Sequence, residues 1–327
     1  MNGALAQVRR VIASPVGRVL LALALMLILG LVFNADGAFL SWTTHRDMLR
    51  QVSVYGMLAC GMTIVIVTGG IDLSVSSVLG AAAVGFSLLT IPEQWSAPAA
   101  IALVLVGGAA AGAVSGALVG YLKIQSFIVT LAAMVLLRGF AKYLSGGQKV
   151  STYVQETGNV VPLPGIFSRI DARVLGDHIP IVTLVFLVCV LLTAFVLRQL
   201  RLGRYLYATG GNAEAARLSG VPVPRVLVLA YALSGLFAAV AGICQAAQEQ
   251  QGDPETGMGY ELQAIAMVVI GGTDLAGGRG GITLTLVGVL TIGYLQKILS
   301  INAVGEASRL MLTGAIIVCA VLLQRRK

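Results

Sequence analysis

Charge is what this sequence has least of. Only 11% of its 327 residues are Asp, Glu, Lys or Arg, against roughly 25% in soluble domains, so the chain cannot cover a water-facing surface. Aromatic residues make up 6%, and the alternating ten-residue strands of a transmembrane barrel are missing. The four cysteines (Cys60, Cys189, Cys244, Cys319) sit singly in apolar runs, without the C-x-x-C spacing of a metal site, and read as small buried residues. No G-x-x-x-x-G-K-[ST], H-E-x-x-H or G-x-S-x-G occurs, so neither a nucleotide-phosphate cradle nor a zinc or serine hydrolase centre is present. Catalytic residues, cofactors and metal ligands are therefore not expected in this chain, and His45 and His178 read as solvated residues of outer loops. What is abundant is apolar bulk: 57% hydrophobic residues, 40 glycines and a mean hydropathy of +0.90. That mixture suits membrane helices packed closely through small residues.

A helix needs about 20 residues to cross ~30 Å of hydrocarbon. By that ruler the chain is an all-α polytopic membrane protein with about ten transmembrane helices, at 18–34, 49–68, 74–91, 98–119, 126–143, 179–198, 225–246, 261–272, 282–300 and 308–323. The first is read as an uncleaved helix and not a signal peptide. The eighth is short and runs into a Gly-rich break, as a discontinuous or re-entrant helix would. The net charge of +8 is scattered, which argues for topology and against a nucleic-acid partner. With the amino terminus inside, 13 cations and three acids fall on the cytoplasmic side, and eight cations and 11 acids on the outer side. Arg138 alone lies within a span. This bias places both termini in the cytoplasm. The whole of 1–327 is expected to form one transmembrane domain with an outer loop at about 145–178 and an inner loop at about 199–224.

The inner loop carries the most specific local signal. Asn212 is a good N-cap, Glu214 falls in the first turn, Ala215 and Ala216 are strong helix formers, and Arg217 and Leu218 lie toward the end. Ser219 and Gly220 follow, Gly220 suits the position after the C-cap, and Pro222 forbids continuation. About two turns of helix should lie on the cytoplasmic surface. Such a helix is marginal in water by itself; it is either a docking element for another protein or a capped connector.

This loop, Gly210-Gly211-Asn212-Ala213-Glu214-Ala215-Ala216-Arg217-Leu218-Ser219-Gly220-Val221, resembles the cytoplasmic coupling loop of permease subunits in ATP-binding-cassette importers, in the ribose/xylose/galactoside-type branch. Gly69-Gly70-Ile71-Asp72-Leu73-Ser74-Val75 and Phe127-Ile128-Val129-Thr130-Leu131 are similar to further blocks of that family. So is Gly259-Tyr260-Glu261-Leu262-Gln263-Ala264-Ile265-Ala266, followed by Gly271-Gly272-Thr273 and Leu275-Ala276-Gly277-Gly278. Ser76, Ser126 and Gln263 depart from the usual Gly, Pro and acid. The resemblance implies cytoplasmic ATPase subunits that grip residues 211–220, an external (periplasmic) solute-binding protein, and a second permease subunit as homodimer or heterodimer. It also implies a bacterial inner membrane and import of a monosaccharide or similar small polar solute. Nucleosides, branched-chain amino acids or a furanosyl signalling molecule are the other solutes it admits.

Two of these blocks resemble each other, residues 67–74 and 269–276, which suggests a duplication. In each, a Gly pair lets the backbone leave helical geometry and an Asp follows, Asp72 or Asp274. These acids, with Ser74, are either caps of the next helix or the polar ends of a path or gate. Phe127, Thr130 and Asn302 are further path candidates. Gln245, Gln248 and Asn302, near outer span ends, could meet a polyol. Arg138 either lines the path or pairs with a nearby acid or carbonyl, and Lys142 reaches for the outer boundary. An ion-coupled secondary transporter would need an intramembrane acidic relay, which Arg138 lacks.

Overall fold

The computed structural model describes residues 14–154, 159–305, 307–312 and 314–315. It is helical nearly throughout, and its order is α1 (Pro15–Val32), a 3₁₀ turn (Ala38–Leu40), α2 (Trp42–Val67), α3 (Val75–Thr90), α4 (Ala97–Tyr121) and α5 (Ser126–Leu144). Two short hairpins follow, β1 (Tyr153–Val154) with β2 (Asn159–Val160) and β3 (Arg173–Val174) with β4 (Ile179–Pro180), and α6 (Gly165–Ile170) lies between them. The chain then continues through α7 (Ile181–Arg198), α8 (Arg201–Gly211), α9 (Ala213–Leu218), α10 (Val223–Glu249), α11 (Tyr260–Ile270) and α12 (Ile282–Ile301).

Six of these helices are long and apolar enough to cross a membrane: α2, α4, α5, α7, α10 and α12. The expected eighth span is indeed short, since α11 has 11 residues, or about 17 Å. The expected span at 74–91 is short as well: α3 has 16 residues, about 24 Å, because residues 68–74 leave the helix at the Gly-Gly pair. Residues 313 and 316–323 of the expected tenth span, 308–323, lie outside the described residues.

The connections sort onto two faces. On one, Gly278 N donates to Val67 O at 2.9 Å and Arg198 Nη2 to Thr283 Oγ1 at 2.6 Å. On the other, Arg50 pairs with Asp171 at 2.7 Å, Lys149 with Asp253 at 3.2 Å, Lys142 with Glu255 at 3.0 Å, and Asn302 Nδ2 reaches Phe33 O at 2.9 Å. This is the alternation that the loop charges predict. His45 does not sit in a solvated loop. It belongs to the first turn of α2, half-buried among Phe39, Trp42 and Tyr294, because α2 starts seven residues before the expected boundary.

The core is built around α2, whose residues 56–67 are all buried. α4 packs along α10 through Gly108, Gly112, Gly116 and Gly120. A Cβ at Gly116 would come within 2.8 Å of Leu227 O, and one at Gly120 within 2.9 Å of Pro224 O. At Gly112 it would overlap the Tyr231 carbonyl outright. The four-residue spacing places the glycines in one stripe, and the helices meet backbone to backbone. The opposite face of α4 carries Leu103, Val106 and Val114, each at least half exposed, as a lipid-facing surface would be.

Candidate functional site

The helix α9 stands almost wholly exposed. Of residues 211–220 only Ala216 is buried, and Leu218 is 75% exposed. Asn212 Oδ1 accepts from Ala215 N at 2.9 Å, satisfying one of the orphan donors of the first turn. At the other end Gly220 takes φ +84°, and the Val221 N–H returns to Ala216 O at 3.0 Å, closing the helix in the left-handed manner that glycine favours. Glu214 and Arg217 pair bidentately across one turn, at 2.5 and 3.0 Å. The Arg217 hydrogen bonds hold the Glu214 carboxyl below the usual carboxylate range, and the same pair raises Arg217. With the folded value depressed, the stabilisation by this pair is present above the ordinary glutamate pKa and is lost as pH falls through the lowered one. A ¹³C-labelled Glu214 carboxyl should accordingly titrate below an ordinary glutamate and move up in Arg217→Met; an unshifted titration would show that the pair does not persist in solution.

Beneath α9 the three glycine motifs meet. Gly210 closes α8 against the end of α2, where a Cβ would overlap Val67 O and lie 2.6 Å from Gly278 N. Gly277 (φ +87°) packs on Gly69, a Cβ there falling 2.7 Å from its nitrogen, and Gly278 (φ +71°) packs on Gly211. The Tyr207 hydroxyl of α8 donates to Gly280 O at 2.9 Å. Loops 68–74 and 274–281 thus meet α8, the end of α2 and each other through backbone-to-backbone glycine contacts, with the Tyr207 hydroxyl as a side-chain tie.

The remaining path candidates fall in three places. Asp72 is buried; Oδ1 accepts from the Ser74 backbone at 3.0 Å and the Ser74 hydroxyl, while Oδ2 accepts from Ser234 Oγ of α10 at 2.7 Å. Thr130 and Arg138 lie on one face of α5 with Ser126, four residues apart or multiples of four. Ser126 Oγ accepts from Ile71 N at 3.3 Å and Thr130 Oγ1 donates to Ile71 O at 3.2 Å. Arg138 donates to Pro254 O at 2.6 Å, Thr256 O at 2.8 Å and Ser76 O at 3.2 Å. Non-helical backbone at membrane depth must have its polar groups satisfied by protein. The polar edge of α5 does this for loop 68–74 and for the segment 250–259, which descends along α3 before α11. Elsewhere Phe127 is 52% exposed on the outside of α5. Asp274 is exposed and accepts from Ala276 N at 3.0 Å within its own turn. Asn302 bonds to Phe33 O and Ile298 O.

None of these residues lines the polar cavity at the other end of the molecule. That space, about 400 Å³, lies on the face opposite α9 and is walled by Arg50, Gln51 and Tyr55 of α2, Gln245, Gln248 and Glu249 of α10, Tyr260 and Gln263 of α11, and Gln296 and Ser300 of α12, with Arg309 and Leu310 at its edge. Tyr55, the fourteenth residue of α2's 26, marks mid-depth, and its ring meets Tyr260 at 4.4 Å between centroids. Gln245 and Gln248 are legible in the sequence as polar residues near a span end. Gln263 and Gln296 become cavity residues only when α11 and α12 pack side by side.

A helical membrane chain with a capped helix projecting from one face and a polar cavity opening at the other has the construction of a transport permease driven from outside the bilayer. The chain belongs to the family described as branched-chain amino acid transport system / permease component, which matches residues 44–321. It is 40% identical over 308 residues to the ribose import permease protein RbsC of Escherichia coli (strain K12), covering 93% of this chain and 92% of that one. It is 37% identical to RbsC of Bacillus subtilis (strain 168), with the same coverage. Identity to the xylose transport system permease protein XylH of Escherichia coli (strain K12) is 32%, covering 93% and 90%. No solved structure matches the chain.

Proposed function

We propose that this chain is the membrane-spanning permease of an ATP-driven importer for a monosaccharide, in the bacterial inner membrane, with both termini and α9 in the cytoplasm. The observation that carries this reading is the exposed, doubly capped α9 seated on the glycine junction. Cytoplasmic ATPase subunits would hold α9, and their closure on ATP would displace it against loops 68–74 and 274–281. An external binding protein would deliver solute to the opposite face, and a second permease subunit would complete the pore. The names of the ribose and xylose permeases support a sugar over the amino acids in the family's description. No cofactor is needed in this chain for that role.

The coupling assignment is tested by Arg217→Glu, which sets two carboxylates one turn apart, and by Gly220→Pro, which cannot take φ +84°. Both should insert normally and lose about tenfold in uptake while ATP hydrolysis by the assembled complex continues. ATP-driven uptake at the unaltered rate in both variants would refute the assignment. Uptake of labelled D-ribose that collapses on ATP depletion but resists an uncoupler separates this mechanism from ion coupling.

A further inference from the structure

The 400 Å³ cavity lies within the roughly 300–1,000 Å³ of small-molecule sites, and its chemistry is specific. Five of its wall residues are glutamines: Gln51, Gln245, Gln248, Gln263 and Gln296. Its wall charges sum to zero once Asp171 is counted with Arg50, because Glu249 and Arg309 are of opposite sign. Arg50 is paired with Asp171 at 2.7 Å, and Glu249 accepts from Gln245 Nε2 at 2.6 Å and from Thr256 Oγ1 at 2.9 Å. Among the described residues the only aliphatic one on its wall is Leu310, which offers no enclosure for a branched aliphatic side chain.

An amide carries donors and acceptors together, and a hydroxyl needs both. Gln296 Nε2 donates to Gln263 Oε1 at 2.5 Å, which leaves Gln296 Oε1 and Gln263 Nε2 to meet a solute from two different helices. Gln248 Nε2 is spent on Arg50 O at 3.0 Å, which leaves its oxygen. The two tyrosines, their rings in tilted contact at mid-depth, form the base, and below them α2 is buried without interruption through Val67. A neutral, hydroxyl-rich molecule about the size of a pentose would satisfy these groups, whereas an ion would gain no net charge partner.

We infer that this cavity is a hydroxyl-reading subsite for a monosaccharide, centred on the Gln263–Gln296 pair, so that the permease selects its cargo a second time after the external protein releases it. The inference rests on the sugar-importer function proposed above. A site built to hydrogen-bond a hydroxyl discriminates strongly against the analogue that lacks it, because its polar groups are then left unpaired.

The test uses the assembled transporter in proteoliposomes, with D-ribose, D-xylose and 2-deoxy-D-ribose as probes. Loading of the binding protein and ATP hydrolysis are measured alongside uptake. For the unmodified permease, the uptake preference for ribose over its deoxy analogue should exceed the preference of the binding protein alone by about tenfold. Gln263→Leu and Gln296→Leu should each lower ribose uptake about tenfold and erase that extra preference, with binding-protein affinity unchanged. Uptake and preference like those of the unmodified permease in both variants would overturn the subsite. If the leucine variants fail to reach the membrane, Gln263→Asn and Gln296→Asn keep the amide but withdraw it by one methylene. Partial loss then supports the subsite, and full uptake with full preference overturns it. If the unmodified complex imports neither ribose nor xylose, the sugar function falls and takes the subsite with it, an outcome distinct from a sugar importer indifferent to both glutamines.

Discussion

Gly210→Val should cripple transport while its neighbour Gly211→Ala leaves it nearly intact. The two positions are adjacent in sequence and share a motif, yet a Cβ at Gly210 overlaps the Val67 carbonyl and crowds Gly278 N, whereas one at Gly211 meets nothing within 4 Å. Overpacking costs roughly 1–3 kcal/mol where neighbouring side chains can yield. Here the obstacles are main-chain atoms of the end of α2 and of loop 274–281, so relief requires α8 to separate from the end of α2. The separation breaks the connection by which α9 reaches loops 68–74 and 274–281. Uptake should fall about 100-fold with the permease still present in the membrane and the ATPase still bound and hydrolysing. Equal uptake in the two variants would mean that the junction carries no displacement.

Arg138→Met should have the other large effect, on stability first. The substitution keeps an unbranched apolar stem but removes the donors that serve Pro254 O, Thr256 O and Ser76 O. Each buried carbonyl left without a partner costs about 1–3 kcal/mol. Water cannot replace the donor in hydrocarbon. A fall in the thermal midpoint of the detergent-solubilised protein on the order of 10 °C is expected. Arg138→Lys should recover only part of it, because one ammonium cannot serve three carbonyls in a fixed fan. Transport should fall too, since segment 250–259 leads into Tyr260 and the cavity wall. A midpoint unmoved by Arg138→Met would show that the segment is held by other means.

How much of this the sequence discloses depends on the range of the interaction. The long spans follow from hydropathy alone, and the ends of α9 follow from Asn212, Gly220 and Pro222, all local signals. The shortness of α3 is harder to read. Residues 74–91 are apolar enough for a span, and what shortens the helix is the turn at Asp72 and Ser74, anchored by Ser234 from 162 positions away. The same reason hides the cavity. Gln263 and Gln296 are each single polar residues in apolar helices, and nothing near either one announces the other. The intramembrane position of Arg138 marks it as costly, but which of an acid, a carbonyl or water it meets is decided by segment 250–259, more than a hundred residues on.

The glycine stripe of α4 has a consequence for how this protein can change over time. When two side chains collide, a mutation in one can be rescued by a smaller residue opposite. At Gly112 the opposing group is the carbonyl of Tyr231, and at Gly116 that of Leu227, and every amino acid carries the same carbonyl. No second substitution across the seam can make room. Drift along these two helices is therefore free on the lipid side and nearly barred on the inner one, and the seam can be remade only by moving the helices themselves.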